Sequence, residues 1–326
     1  MPGLDTLVSP VILFFALGAL AAAVRSDLSV PEAMAKSLSL YLMAAIGLKG
    51  GVQVAEAGLS GEMAGVALAG MALSFTLPFL AFALLRSAGG LDRLNAAAVA
   101  AHYGSVSIVT FVTASDALAR AGTPPAGYMV AVMALMETPA VISGLLLAQG
   151  APASGPGPAA RRAGQSGKLW REVLLNGSVV LLLGAFAIGL AVGKEKFAAV
   201  APVFTTGFTG LLCLFMLDMG LIAMRRLRES RALSARLVAL GILLPVVNGA
   251  LGLGVAALLG LDPGTGTALT MLAASASYIA VPAAIRLALP DADPGIYLSL
   301  SLAVTFPFNI LVSIPVSSSV AVALLG

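Results

Sequence analysis

Apolar segments of membrane-spanning length follow one another along almost the whole chain of 326 residues. A transmembrane helix needs about 20 consecutive apolar residues. Runs that reach or approach this length lie at 8–24, 34–48, 63–85, 93–115, 127–149, 172–193, 199–224, 235–260, 264–289 and 295–325. Charged residues make up only 10% of the chain, whereas soluble domains carry about 25%. The sequence therefore predicts an all-α integral membrane protein with about ten transmembrane helices.

The fourth and ninth runs have polar centres instead of apolar ones. These centres read Tyr103-Gly104-Ser105-Val106-Ser107 and Ala274-Ser275-Ala276-Ser277-Tyr278. Glycine and serine have lower helix propensity than alanine or leucine, and a membrane protein tolerates non-helical backbone where it lines a cavity. We therefore expect both helices to be unwound at mid-membrane.

The two halves of the chain resemble each other. The segment YGSVSIVTFVTASDAL, from Tyr103, aligns with AASASYIAVPAAIRLA, from Ala273, and both fifth spans carry a polar residue near a proline (Glu137 with Pro139, Asn309 with Pro307). Five spans in each half give the halves opposite orientations, as in the inverted repeats of secondary transporters. The predicted organisation is a first repeat at 1–149, a cytoplasmic linker at 150–170 and a second, inverted repeat at 171–326.

The basic residues predict the orientation of the chain in the membrane. With the amino terminus outside, all but four of the 18 lysines and arginines fall in or beside cytoplasmic loops. The four on the outer side are Lys49, Arg120, Lys194 and Lys196. Cytoplasmic loops are enriched in Lys and Arg, so both termini are predicted to lie outside.

Two acidic residues, Glu137 and Asp218, lie well inside predicted spans. A charge at the bilayer centre costs about 3 kcal/mol on insertion scales, so such a residue normally faces a cavity, an ion or a partner. Thr138 adds an oxygen ligand beside Glu137, and Pro139 frees a backbone carbonyl. Oxygen ligands suit a hard cation such as sodium. The alternative for either carboxylate is a protonated or paired group, and Asp218 is also a candidate helix tether near the cytoplasmic side.

The two interrupted spans are the predicted substrate site. The second half of a broken helix begins with unpaired N–H groups and a partial positive charge, and two such ends form an anion site without a basic side chain. Serine hydroxyls add donors, and small residues keep the pocket tight enough for a small oxyanion. The residues concerned are Gly104, Ser105, Val106, Ser107, Ala274, Ser275, Ala276 and Ser277. The alternative is that these small residues only allow close helix packing.

Several other functions are not supported by the sequence. The net charge of +3 is too small to indicate a nucleic-acid partner, and the single cysteine, Cys213, excludes a disulfide framework. The chain has no phosphate-binding glycine loop for ATP. The single histidine, His102, lies three residues before Ser105, so an intramembrane Ser–His hydrolase is an alternative. We expect a non-enzymatic protein with no cofactor other than sodium as a coupling ion.

Four segments resemble the sodium-dependent bicarbonate transporters of the SbtA type. They are SDLSVPEAMAKSLSLYLMAAIGLKGGV (26–52), AHYGSVSIVTFVTA (101–114), GYMVAVMALMETPAVISGLLLA (127–148) and LFMLDMGLIA (214–223). The resemblance implies two inverted five-helix repeats, divided into a core and a gate domain, in a trimer with elevator-like alternating access. It also implies sodium-coupled bicarbonate import across a bacterial inner membrane.

The resemblance also bears on individual residues and partners. It matches 104–107 and 274–277 to the two halves of the anion site, and Glu137, Thr138 and Asn309 to sodium-binding motif positions. Ser107, Thr110 and Asp218 join the predicted sodium set on their chemistry. A PII-like soluble regulator at the cytoplasmic face is a further implied partner, besides membrane lipid. The predicted function is a sodium–bicarbonate symporter, with a symporter for another small anion or a passive anion channel as alternatives.

Overall fold

A computed structural model describes residues 9–58, 60–149, 177–229, 233–279 and 281–326. Within these ranges the chain is helical and has no strand. Seven stretches in them are long and apolar enough to cross a membrane: Glu32–Glu56, Gly61–Ser87, Arg93–Arg120, Met129–Ala148, Pro202–Arg228, Ala235–Leu258 and Pro294–Leu325. The predicted class is thus confirmed, and the chain is a multi-pass, all-α membrane protein.

The helices of the first half are α1 to α7. They span Pro10–Ala23, Glu32–Ala57, Gly61–Ser87, Arg93–Gly104, Ile108–Arg120, Met129–Leu135 and Glu137–Ala148. Helix α1 has 14 residues and is shorter than a full span, whereas α2 has 26 and extends well beyond the predicted 34–48 run. The count of ten spans stays a prediction, and the predicted linker at 150–170 lies outside the described residues.

The second half contains α8 to α15 and three π-helical turns. The α-helices span Gly177–Phe197, Phe208–Glu229, Ala235–Leu258, Pro263–Ala274, Val281–Ala288, Pro294–Leu298, Phe306–Phe308 and Ile314–Leu325. The π turns span Pro202–Thr206, Ser299–Thr305 and Asn309–Ser313. Because π turns frequently occur at functional sites, the two π turns inside the last span make this span a candidate part of a functional site.

Helices α1, α2, α8 and α9 form one packing group, in which α1 lies against α9 and α2 against α8. Glycine permits both contacts. A Cβ on Gly220 would collide with the backbone of Phe15, and one on Gly51 with the backbone of Phe186. Small residues let membrane helices approach to backbone contact, so these glycines fix which helices pair.

The remaining helices form a second group around the two interrupted spans. Helix α4 packs against α3 and α7, and α11 packs against α10 and α15. Gly104 at the end of α4 lies against the ring of Pro78, inside α3, where no Cβ would fit. The ends of α4 and α11 are therefore enclosed by neighbouring helices.

The basic run at the end of α9 contacts the end of α1. The Arg225 guanidinium donates to the Leu28 carbonyl at 2.9 Å, and that of Arg228 donates to the Ala22 carbonyl at 2.9 Å. Cationic groups stabilise the carbonyl end of a helix. Arg225 and Arg228 thus hold α1 and α9 together at this end.

Candidate site at the two helix breaks

The first break separates α4 from α5. Helix α4 ends at Gly104, Ser105 and Ser107 have extended backbone (φ −88°, ψ 172° and φ −101°, ψ 111°), and α5 begins at Ile108. Ser107 is the N-cap of α5, because its Oγ accepts from the Thr110 amide at 3.2 Å. The chain therefore crosses three non-helical residues between two buried helices.

The second break separates α11 from α12 in a similar way. Helix α11 ends at Ala274, Ser275 is extended (φ −83°, ψ 164°), and Ser277 Oγ accepts from the Val281 amide at 3.4 Å. Helices α4 and α11 both have 12 residues. Each starts after an aspartate N-cap, Asp92 or Asp262, whose carboxylate accepts from two backbone amides.

The two breaks are hydrogen-bonded to each other. The Ser107 amide donates to Ser275 Oγ at 2.9 Å, and the Ser277 amide donates to the His102 carbonyl at 2.9 Å. Ser275 Oγ in turn donates to the Leu272 carbonyl at 2.9 Å. Ser105, 1% exposed, is different, since its Oγ has no partner among the described residues. Three of the four serines therefore maintain the backbone geometry, and the Ser105 hydroxyl is free.

His102 is not arranged as a base for Ser105. Its Nδ1 lies 2.7 Å from the Ala98 carbonyl, and its ring stacks on Tyr297 with centroids 4.5 Å apart. Within the described chain, neither His102 Nε2 nor Ser105 Oγ has a hydrogen-bond partner. The nucleophile–base contact of a Ser–His hydrolase is thus missing.

A narrow cleft, too tight to admit a water molecule, lies where the breaks meet α7. It is lined by Val106, Ser107, Ile108, Glu137, Ser277, Tyr278 and Ile279. Glu137 is the first residue of α7 and is only 6% exposed. The structure thus brings the predicted carboxylate to both predicted half-sites. Thr138, the next residue of α7, is partly buried.

Two other predicted sodium ligands have buried oxygens without a partner. Within the described ranges, nothing hydrogen-bonds to Thr110 Oγ1 or Asn309 Oδ1. Asn309 Nδ2 donates to the Ala274 carbonyl at 2.9 Å, so its side chain lies at the end of α11. Helix α5, which carries Thr110, contacts the π turn that begins at Asn309. Both groups are therefore close to the breaks.

Asp218 belongs to the other packing group. It is on α9, 5% exposed, and its Oδ2 has no partner among the described residues. It does not line the cleft, and in the described chain no hydrogen bond joins it to either break. Among the described residues, there is no group of three or more His, Cys, Asp or Glu side chains that could hold a metal ion.

Sequence reasoning missed several polar and aromatic residues around the site. Tyr103 Oη lies 2.6 Å from Thr305 Oγ1, and Asn248 Nδ2 donates to the Tyr103 carbonyl at 3.2 Å. Tyr278 packs edge-on against Phe306, with centroids 5.4 Å apart. Asn248 and Thr305 are polar residues inside apolar spans, a signal that could have identified them.

No curated protein matches the chain. The family model of the Na⁺-dependent bicarbonate transporter superfamily matches residues 10–322. This match includes both breaks, Glu137 and the last span, and it confirms the resemblance drawn from the four sequence segments. The chain therefore belongs to the Na⁺-dependent bicarbonate transporter superfamily.

Proposed function

We propose that the protein is a sodium-coupled symporter that imports bicarbonate by alternating access, with the anion at the two breaks. The observation that carries this proposal is the place where the two breaks meet the start of α7. Two buried, extended segments are hydrogen-bonded to each other there, and Glu137 and several unpartnered oxygens lie beside them. Superfamily membership supports both ligands, because the family name specifies sodium and bicarbonate.

The proposed anion site consists of 104–107 and 274–277. Helices α5 and α12 begin next to these segments, and a helix N-terminus carries roughly half a positive charge. The Ser105 hydroxyl supports the proposal as a free donor. Gly104, Ala274 and Ala276 have little side-chain bulk, which suits a small oxyanion, and Val106 completes the first half-site.

Sodium is proposed to bind beside the anion, with ligands from Ser107, Thr110, Glu137, Thr138 and Asn309. A buried polar atom without a partner costs about 1–3 kcal/mol, and a cation would relieve this cost at Thr110 Oγ1 and Asn309 Oδ1. Asp218 remains a further proposed ligand, because its buried Oδ2 also has no partner among the described residues. Since coupling is reciprocal, bound sodium raises the affinity for the anion, and bound anion raises the affinity for sodium.

The inverted repeat is proposed as the basis of movement, with repeats at 1–149 and 171–326. Helices α1 and α2 begin the first repeat, and α8 and α9 are their counterparts in the second. The first helix of each repeat packs against the second helix of the other, as α1 with α9 and α8 with α2, which supports this symmetry. The aspartate caps of α4 and α11 support it too. In this proposal α1, α2, α8 and α9 are the gate, and the remaining helices are a core that moves like an elevator.

The cellular setting is proposed from the resemblance and the charge distribution. It comprises a homotrimer in a bacterial inner membrane, with both termini outside and a PII-like regulator at the cytoplasmic face. Arg225 and Arg228 already contact α1, so a regulator would meet a face where these two side chains are engaged.

Uptake of labelled bicarbonate into proteoliposomes tests the function, with sodium or potassium outside and empty liposomes as the control for carbon dioxide leakage. The expected result is sodium-dependent uptake that Ser105→Ala reduces. Ser301→Ala is the matched control, because Ser301 Oγ donates only to carbonyls of its own segment. Equal uptake in potassium would favour a passive channel. Sodium-dependent uptake of another small anion in place of bicarbonate would change the substrate.

A further inference from the structure

A second, larger cavity lies between α2, α5, α9 and the segment 124–127. It is a half-open crevice with a cavity volume of about 110 Å³, and on the same measure one water molecule needs about 10–15 Å³. Most of its wall is apolar. Its polar side chains are Lys49, Gln53, Ser115 and Asp116. The crevice therefore has room for a hydrated small ion.

Lys49 is the cation in this wall. Its ammonium lies 4.9 Å from the centroid of the Phe208 ring, and the residue is half-buried. No hydrogen bond or ion pair joins it to another described residue. A half-buried ammonium that lies over an aromatic face, with no hydrogen-bond or ion-pair partner among the described residues, still has capacity for an anionic partner.

The nearby carboxylate is already engaged. Asp116 Oδ1 accepts from Thr209 Oγ1 at 3.0 Å, and Asp116 Oδ2 pairs with Arg120 at 2.9 Å. Arg120 thus offsets the charge of Asp116, and the charge of Lys49 remains. The crevice consequently has an excess of positive charge in a partly apolar setting, where screening by salt is weaker than at an open surface.

The crevice adjoins the first break. Helix α5 begins at that break with Ile108, and Val112, four residues later, lines the crevice. At 1.5 Å per residue the two positions are separated by about 6 Å along the helix. The inner end of the crevice is therefore close to the positive end of α5.

We propose that this crevice is a second, low-affinity site for small oxyanions, in which Lys49 binds the anion before it moves to the breaks. The inference rests on the proposed function for its biological role, although not for the binding itself. A fixed charge in a cleft raises the local concentration of counter-ions, and whole clefts gain about 10- to 1,000-fold in association rate this way. Lys49 supplies only one of the charges in such a cleft, so we expect the effect of Lys49 alone to lie at the lower end of this range.

Chemical labelling of lysines tests the binding without transport. The purified protein is treated with an amine-reactive ester in bicarbonate or in chloride at equal ionic strength, and the modification rates of Lys49 and Lys196 are measured by mass spectrometry. Lys196 is the internal control, since it is exposed and does not line the crevice. We expect bicarbonate to slow the labelling of Lys49 several-fold and to leave Lys196 unchanged. Equal slowing of both lysines, no slowing, or an unreactive Lys49 would overturn the proposal.

Transport kinetics supply the second readout. We expect Lys49→Met to raise the KM for bicarbonate about three- to tenfold, with little change in kcat and a weaker dependence of KM on ionic strength. Lys49→Arg retains the charge and is expected to stay close to wild type, as is Lys196→Met. If the wild type transports but bicarbonate does not protect Lys49, the crevice proposal fails and the symporter stands. If bicarbonate protects Lys49 but the protein shows no sodium-dependent uptake, the crevice site stands and the symporter proposal fails.

Discussion

Two threonines one turn apart on α5 differ in what their hydroxyls contact. Thr113 Oγ1 donates to the Val109 carbonyl at 2.9 Å, whereas Thr110 Oγ1 is buried without a partner among the described residues. An unpartnered buried hydroxyl lowers the free energy of unfolding by about 1–3 kcal/mol. Thr110 therefore stands out as a residue whose hydroxyl does not contribute to stability, and the proposed sodium ligation would explain why it is there.

Thr110→Val tests this interpretation, because valine keeps the shape of threonine and removes the oxygen. We expect the sodium concentration for half-maximal bicarbonate uptake to rise about tenfold, equivalent to about 1.4 kcal/mol of lost binding. The melting temperature should not fall, since no hydrogen bond is lost. Thr113→Val is the matched control and should leave the sodium dependence unchanged. If the two variants need the same sodium concentration, Thr110 is not a ligand.

Residue roles were the part that the sequence could predict least. The motif positions of Ser105, Ser107, Ser275 and Ser277 are equivalent in the two repeats, so all four were expected to be donors to an anion. In the structure Ser107 caps α5, Ser277 accepts from the first amide of α12, and Ser275 links the two breaks. Only hydrogen-bond geometry distinguishes these uses, and that geometry depends on how the two segments meet in three dimensions.

At the scale of elements, the positions of the breaks could be predicted and the helix pairing could not. Glycine and serine lower helix propensity locally, and α4 and α11 both end directly before a serine. The partners of α1 and α2 depend on which glycines approach another backbone. Gly51 does so, whereas Gly65 has open space around it. Nothing in the neighbouring sequence separates these two glycines.

The start of α4 offers a test of an element that orients the site. Asp92 Oδ1 accepts from the amides of Leu94 and Asn95 at 2.9 and 3.0 Å. Burial alone raises the pKa of Asp92, but the hydrogen bonds from Asn95 and Leu94 outweigh it and hold the pKa below its usual 3.8. A carboxylate with a lowered pKa stabilises the fold above its unfolded-state pKa, and this stabilisation is lost as pH falls through the folded-state value.

We therefore expect Asp92→Ala to lower the free energy of unfolding by about 1 kcal/mol at pH 7, as for other N-caps, and Asp92→Asn to change it little. As pH falls below about 4, the advantage of the wild type over Asp92→Ala should fade, because the aspartate becomes protonated. The difference between Asp92→Asn and Asp92→Ala should persist. Unfolding in detergent at several pH values measures all three. A wild-type advantage independent of pH would mean that the ionised cap is not the source of stability.

At the scale of the whole molecule, the two packing groups are linked by few polar contacts. One of these is the hydrogen bond from Thr209 on α9 to Asp116 on α5, at 3.0 Å. Within the second group, the Asp293 amide donates to Asn95 Oδ1 at 2.7 Å. If the core moves as one body against α1, α2, α8 and α9, the first distance changes during transport and the second does not.

Cross-linking tests whether the core moves against α1, α2, α8 and α9. Because Cys213 is the single cysteine of the chain, Cys213→Ala gives a cysteine-free background. In that background we expect a short, reducible thiol cross-linker between Thr209→Cys and Asp116→Cys to stop bicarbonate uptake, and reduction to restore it, because the core can no longer move against the gate. The same cross-linker between Asn95→Cys and Asp293→Cys joins two points of one body and should leave uptake unchanged. Each double variant is compared with itself before cross-linking. Continued uptake with Thr209 and Asp116 linked would mean that α5 and α9 stay together through the cycle, and access would then have to alternate by local opening around the cleft.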